Sequence, residues 1–232
     1  LKGNYLNEQI NGIVLKAKQA RDYFLLIGPP GTGKTSVALR SMVEEFLCEG
    51  QSILLLSYTN RAVDEICEQL SCPYLRLGRE LSCAPEYRQH LLCNMIGENP
   101  NREEVHQLFT TTPVVVSTVA SMCTYDALFK LRSFDIAIID EASQILEPQI
   151  IGLLTHLGKF IMIGDHKQLP AVVVQDEEQS RVESPLLHEI GLDNCRNSLF
   201  ERLMKLQHTD ATVAMLSRQG RMHQSIGEFA SR

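Results

Sequence analysis

Apolar residues fall along this chain in short unbroken runs separated by longer amphipathic stretches. "YFLLI" (23–27), "SILLLS" (52–57), "PVVVS" (113–117), "IAIID" (136–140) and "KFIMIG" (159–164) have no polar alternation, and "TVAML" (212–216) is a sixth such run. Strands of that kind are buried on both faces, as in a parallel sheet covered by helices. Between them, "NEQINGIVLKAKQA" (7–20), "KTSVALRSMVEEFL" (34–47) and "RAVDEICEQL" (61–70) carry apolar residues at helical spacing. Alternating strands and helices predict an α/β fold with a three-layer parallel sheet. Ligands of such sheets bind beyond the carboxyl ends of the strands.

Residues 72–112 break the rhythm with polar residues, scattered Pro and Gly and one expected helix over 85–96, and are expected to form a small, mostly helical insertion. Residues 173–184, "VVQDEEQSRVES", are expected to form a surface loop.

Composition constrains function only a little. The net charge of −6 does not advertise a nucleic-acid partner, although a basic groove can exist within an acidic whole. No apolar run reaches the length of a membrane helix, so no membrane partner is expected. No apolar signal core opens the chain, which points to an intracellular protein: cytoplasmic if bacterial, nuclear or cytoplasmic if eukaryotic. The first residue is Leu, which suggests a piece of a longer protein. Seven cysteines without a secretory signal are expected to be free thiols. Cys67, Cys72, Cys83 and Cys93 lie close in sequence, but they form no CxxC pair and match no familiar iron–sulfur spacing.

The chemistry begins at "GPPGTGKTS" (28–36), which follows a predicted strand and opens a predicted helix. It fits the phosphate-cradling pattern G-x-x-x-x-G-K-[ST] in the context that pattern requires. Gly28, Gly31 and Gly33 allow a tight turn and close approach of phosphates, with Pro29, Pro30, Thr32 and Ser36 completing the cradle. Amides at the helix start attract anions, Lys34 reaches the β- and γ-phosphates, and the Thr35 hydroxyl suits Mg²⁺. The bland alternative is a glycine turn that caps a helix. "IAIID" then supplies the acid such a loop needs: Asp140 for Mg²⁺, with Glu141 placed to deprotonate the attacking water. Alone, the two acids could be a solvated corner. No guanine-reading N-K-x-D follows, so ATP with Mg²⁺ is the expected ligand.

Beyond these residues the chain resembles superfamily 1B helicases, the up-frameshift-like branch, and more closely the helicase part of the nuclease–helicase family. "DEASQ" (140–144, with Ser143 and Gln144 in the signature), "GDHKQLPAVV" (164–173), "LLLSYTNRAVDEI" (54–66), "VVVSTVAS" (114–121), "YLRLG" (74–78), "LNEQ" (6–9) and "RQGRMHQ" (218–224) carry the likeness. The resemblance implies a RecA-like P-loop NTPase lobe over residues 1–232, with 72–112 inserted in it. It implies that Gln168 senses the γ-phosphate, Arg221 clamps it and Gln9 reads adenine; otherwise each is a surface side chain. It implies that Thr59, Asn60, Ser117 and Thr118 contact a strand's phosphates and sugars, with Pro170 near a base. Their alternatives are helix caps and a turn.

Gly220 stands where the family has a Tyr that stacks on adenine, and Gln224 where one branch has Pro. The implied activity is ATP-driven translocation on single-stranded nucleic acid, DNA favoured over RNA, in the 5′ to 3′ direction. A second RecA-like lobe, with the arginine finger, is expected from the parent chain, and the chain alone should hydrolyse ATP very slowly. A finger of that kind is worth about 10³–10⁵ in rate. The rival reading is a non-motor P-loop switch that controls protein assembly. No paired-acid nuclease signature is present.

Overall fold

A computed structural model describes residues 1–97, 101–165, 167–168, 171, 173–206 and 211–217. The strands are β1 (Tyr23–Ile27), β2 (Ile53–Ser57), β3 (Tyr74–Arg76), β4 (Val114–Thr118), β5 (Ile136–Ile139), β6 (Phe160–Gly164) and β7 (Val213–Met215). The helices are α1 (Glu8–Gln19), α2 (Arg40–Cys48), α3 (Asn60–Gln69), α4 (Leu92–Met95), α5 (Arg102–Thr111), α6 (Val119–Thr124), α7 (Glu147–Leu154), α8 (Pro185–Glu189) and α9 (Leu199–Lys205). The strands form one sheet in the order β3-β4-β2-β5-β6-β1-β7, and every pairing is parallel.

The apolar runs explain this sheet directly. Every residue of β2, β4 and β5 is buried, so neither face can meet water. Side chains alternate across each strand. Phe24, Leu26 and Leu55 therefore pack under α1, α2 and α3, with Ile13, Met42 and Ile66. Leu25, Leu54 and Leu56 face the other way, onto α6, α7 and α9, with Met122, Ile150 and Phe200. These are the three layers expected from the sequence. No helix among the described residues is long and apolar enough to cross a membrane.

Residues 72–112 depart from the expected pattern in detail. They contribute β3, an edge strand paired to β4 from Tyr74↔Val114 to Arg76↔Val116. A three-residue strand is too short to give a hydrophobic period. The helix expected over 85–96 is instead a 3-10 turn over Pro85–His90 followed by α4. The helix α5 starts at a capping box in which Asn101 accepts from the Glu104 amide and Glu104 accepts from the Asn101 amide.

Glu45 of α2 anchors the N-terminal segment. Fully buried, its carboxylate accepts from the amides of Lys2 and Gly3, the Tyr5 hydroxyl and Lys18 Nζ. Burial alone would push its pKa up, but these donors outweigh it and hold the group at about 2, against an ordinary 4.5. A folded pKa below the unfolded one adds stability that is present above the unfolded value and is lost as pH falls towards the folded one. We therefore expect the urea midpoint to drop between about pH 5 and about pH 2, with a shallower drop in Glu45→Gln. An equal slope in the variant would show that other carboxylates dominate.

Candidate active site

The loop after β1 is held at both ends. The Gly28 amide donates to the Gly164 carbonyl at 2.9 Å, which ties the loop to the end of β6. The Thr32 amide and hydroxyl both reach the Pro29 carbonyl, at 3.3 and 2.7 Å. Gly31 and Gly33 sit at φ 78° and 79°, in the left-handed region that a side chain resists. The Gly33 carbonyl then accepts from both Val37 and Ala38, each at 3.0 Å, so the first turn is wide over Lys34–Leu39 before α2 tightens. Wide turns of this kind recur at functional sites. The helix start leaves backbone N–H groups free to meet an anion. A Cβ on Gly28 would fall 2.1 Å from Lys34 Cγ, so Lys34 lies folded over the bare glycine backbone.

The acids lie at the end of β5. Asp140 is 2% exposed, and its Oδ2 accepts from Thr35 Oγ1 at 2.6 Å. Burial raises its pKa, against the pull of the Thr35 hydroxyl and the Glu141 amide. The Glu141 amide donates to Asp140 Oδ1 at 2.9 Å. Glu141 has φ 53°, the one positive φ of a non-glycine residue among those described. Strain of that kind clusters at active sites, where the surrounding structure enforces it. The turn separates the two acids: Asp140 points into the loop and Glu141 stands half-buried beside the cleft. Burial first, then the Asp140 charge, raises the pKa of Glu141, which makes it a stronger base than a free carboxylate.

A cleft of about 770 Å³ joins these groups, with Lys34, Thr35, Asp140, Glu141, Gln168 and Gln9 among its walls. That volume is ordinary for a small-molecule site. The amide of Gln9 is anchored: Nε2 donates to the Met215 carbonyl at 3.3 Å and to Ser217 Oγ at 2.8 Å. Glu65 and Glu68 of α3 also line the cleft, a role that their helical spacing did not reveal.

The residues expected to touch a nucleic-acid strand sit at the carboxyl ends of β2 and β4, where Ser57 pairs with Thr118. Thr59 is exposed and caps α3, accepting from the Ala62 amide at 3.1 Å. Asn60 opens the same helix, half-buried. Thr118 caps α6 and accepts from the Ser121 amide at 3.0 Å. Ser117 is fully buried and donates to the Thr118 carbonyl at 3.0 Å, so its hydroxyl does not reach the surface. Pro170, Arg221 and Gly220 lie outside the described residues.

Comparison with known proteins narrows the family. The AAA domain family profile matches residues 5–103 and 94–176. The chain is 35% identical over 229 residues to the DNA replication ATP-dependent helicase/nuclease JHS1 of Arabidopsis thaliana, covering 97% of this chain and 16% of that protein. It is 36% identical over 184 residues to the DNA replication ATP-dependent helicase/nuclease DNA2 of Saccharomyces cerevisiae, covering 75% of this chain and 12% of that protein. Against DNA2 of Gallus gallus it is 32% identical over 237 residues, covering all of this chain and 22% of that protein. The chain thus spans less than a quarter of the length of these relatives. Among solved structures, the Pif1 helicase from Bacteroides, in complex with ADP-AlF3 and ssDNA, aligns at a TM-score of 0.50 and 16% identity, covering 96% of this chain and 44% of that one. Pif1 helicase from Candida albicans aligns at 0.50 and 15%, covering 99% and 43%. At such identities the likeness is one of fold.

Proposed function

This chain belongs to the AAA domain family, and from that premise we propose that it is the ATP-binding first lobe of a superfamily 1B helicase acting on single-stranded DNA. The observation that carries the proposal is the meeting of Thr35 and Asp140 at 2.6 Å beneath the phosphate loop, with Glu141 one residue on. Two oxygen donors suit Mg²⁺, which binds through one or two carboxylates together with substrate phosphates. Thr35 and Asp140 would hold the ion, which would supply positive charge against the nucleotide's phosphates. The chain's own groups do the rest. Loop amides and Lys34 hold the phosphates, Glu141 takes the proton of the attacking water, and Gln168 contacts the γ-phosphate. Gln9, with its Nε2 already engaged, offers Oε1 as an acceptor to the adenine amino group.

The strand would cross the carboxyl ends of β2 and β4. Thr59, Asn60 and the Thr118 turn would meet its backbone there, with Ser117 packed beneath; Pro170 would lie near a base. Backbone contacts of this sort do not read sequence. DNA is favoured over RNA because the relatives are named for DNA replication. The lobe is residues 1–232 with 72–112 as its inserted subdomain, and a second lobe closes the cleft and brings the arginine finger. Arg221 would clamp the γ-phosphate from this chain. Translocation runs 5′ to 3′, and the setting is intracellular.

One observation leaves room for the non-motor switch. Thr59 and Thr118 already serve as helix caps, so their hydroxyls have a purpose without a strand. The deciding measurement is the ATPase rate of the full-length protein with single-stranded DNA, single-stranded RNA or neither. We expect single-stranded DNA to raise the rate at least about tenfold, because strand binding completes a site whose preorganised charges carry most of the catalysis. A rate indifferent to either nucleic acid would overturn the motor reading in favour of the switch.

A further inference from the structure

Asp165 follows β6 directly, is 5% exposed and does not line the cleft, yet four hydrogen bonds converge on it. Its Oδ2 accepts from Gln168 Nε2 at 3.1 Å, and its Oδ1 accepts from the Lys167 amide at 3.0 Å. Its carbonyl accepts from the Gln168 amide at 3.2 Å. Its own amide donates to Ser143 Oγ at 3.4 Å, across to the turn that carries Asp140 and Glu141.

A glutamine head has two orientations of nearly equal shape and opposite polarity. A partner that can only accept, or only donate, selects between them. A carboxylate accepts only, so Gln168 must turn Nε2 towards Asp165. One Nε2 hydrogen is then fixed, which also fixes the direction of the second hydrogen and of Oε1.

We propose that Asp165 is a positioning residue: it sets the orientation of the Gln168 amide so that a donor and an acceptor face the γ-phosphate and the attacking water in fixed places. This rests on the reading of Gln168 as the group that meets the γ-phosphate. Through Ser143, the same residue holds Gln168 at a set spacing from the Asp140–Glu141 turn. Asp165 touches no substrate. It acts through Gln168, as the buried carboxylate of a catalytic triad fixes the orientation of its partner imidazole.

The test is a double-mutant cycle on the full-length protein, following ATP hydrolysis in the presence of single-stranded DNA. Asp165→Asn still offers an oxygen to the Lys167 amide but sets an NH2 against that of Gln168, which turns the glutamine over. We expect the KM for ATP to stay within about twofold while kcat falls roughly 10²-fold, the size of losing one preorganised donor. Gln168→Ala should be slowed to a similar degree, and D165N should cost nothing further in that background. If the two losses multiply, Asp165 acts independently of Gln168 and the proposal is overturned. If Gln168→Ala is slow and D165N is not, the proposal alone falls. If Gln168→Ala is as fast as the parent, the reading of Gln168 falls and takes the proposal with it. Should the Asn variant unfold, the same cycle with Asp165→Ser, which removes the carboxylate and leaves a small acceptor, decides by the same comparison.

Discussion

Replacing Glu141 by Gln is expected to cut strand-stimulated ATP hydrolysis by about 10²–10⁴-fold, the usual worth of a general base, while ATP still binds. The substitution keeps shape and removes only the basic oxygen. The neighbouring bond survives, because it is the backbone amide of residue 141 that donates to Asp140 Oδ1. Binding should hold or tighten, since a negative charge leaves the side of the phosphates. The pH profile offers a separate check. The pKa of Glu141 is raised by burial and then by Asp140. A base must be deprotonated to act, so kcat should fall as pH drops through a value above the ordinary carboxylate range. Glu141→Gln should erase that acid limb. A variant that keeps more than about a tenth of the parent rate would remove Glu141 from the role of base.

The layers of the fold could be read from the unbroken apolar runs, because burial on both faces leaves no choice but a covered parallel sheet. The phosphate loop was legible for a different reason: Gly31 and Gly33 meet a backbone demand that few other residues satisfy. The edge strand β3 was not legible, since three residues carry no period and its pairing partner β4 lies about forty residues on. The helices α6 and α7 also escaped. "VASMCT" is only six residues long, too short to show a helical period, and "EPQIIGLL" is apolar along most of its length. The helices α5 and α9 did leave a signal, in the pairs Asn101/Glu104 and Ser198/Glu201 of their capping boxes. At the site, Asp140 and Glu141 were clear from the strand end. The left-handed turn that splits them was not, and neither was the service of Asp165 to Gln168. The first is a backbone conformation and the second a side-chain contact, and each is set only once the chain has folded.

The second large effect concerns stability, at the ion pair between Arg76 of β3 and Asp64 of α3. The Arg76 side chain is 1% exposed and that of Asp64 is 20% exposed. Asp64 neutralises the guanidinium, and one Arg76 nitrogen is buried without a hydrogen-bond partner among the described residues. The second Asp64 oxygen accepts from the Ala84 amide at 3.4 Å, so the pair also fastens the start of the 72–112 segment onto α3. Removing one member of a buried pair costs far more than the pair contributes, because a buried charge is left uncompensated. We expect Asp64→Ala to lower the unfolding free energy by about 3–5 kcal/mol, read from the urea midpoint at constant m. Arg76→Met should cost less, since the stranded carboxylate is a fifth exposed and can reach water. Replacing both, as Asp64→Leu with Arg76→Met, should recover most of the loss, because an apolar pair avoids the desolvation of two charges. That order follows from burial rather than from the strength of the bond. A double variant less stable than Asp64→Ala would show instead that the ion pair itself holds β3 against α3.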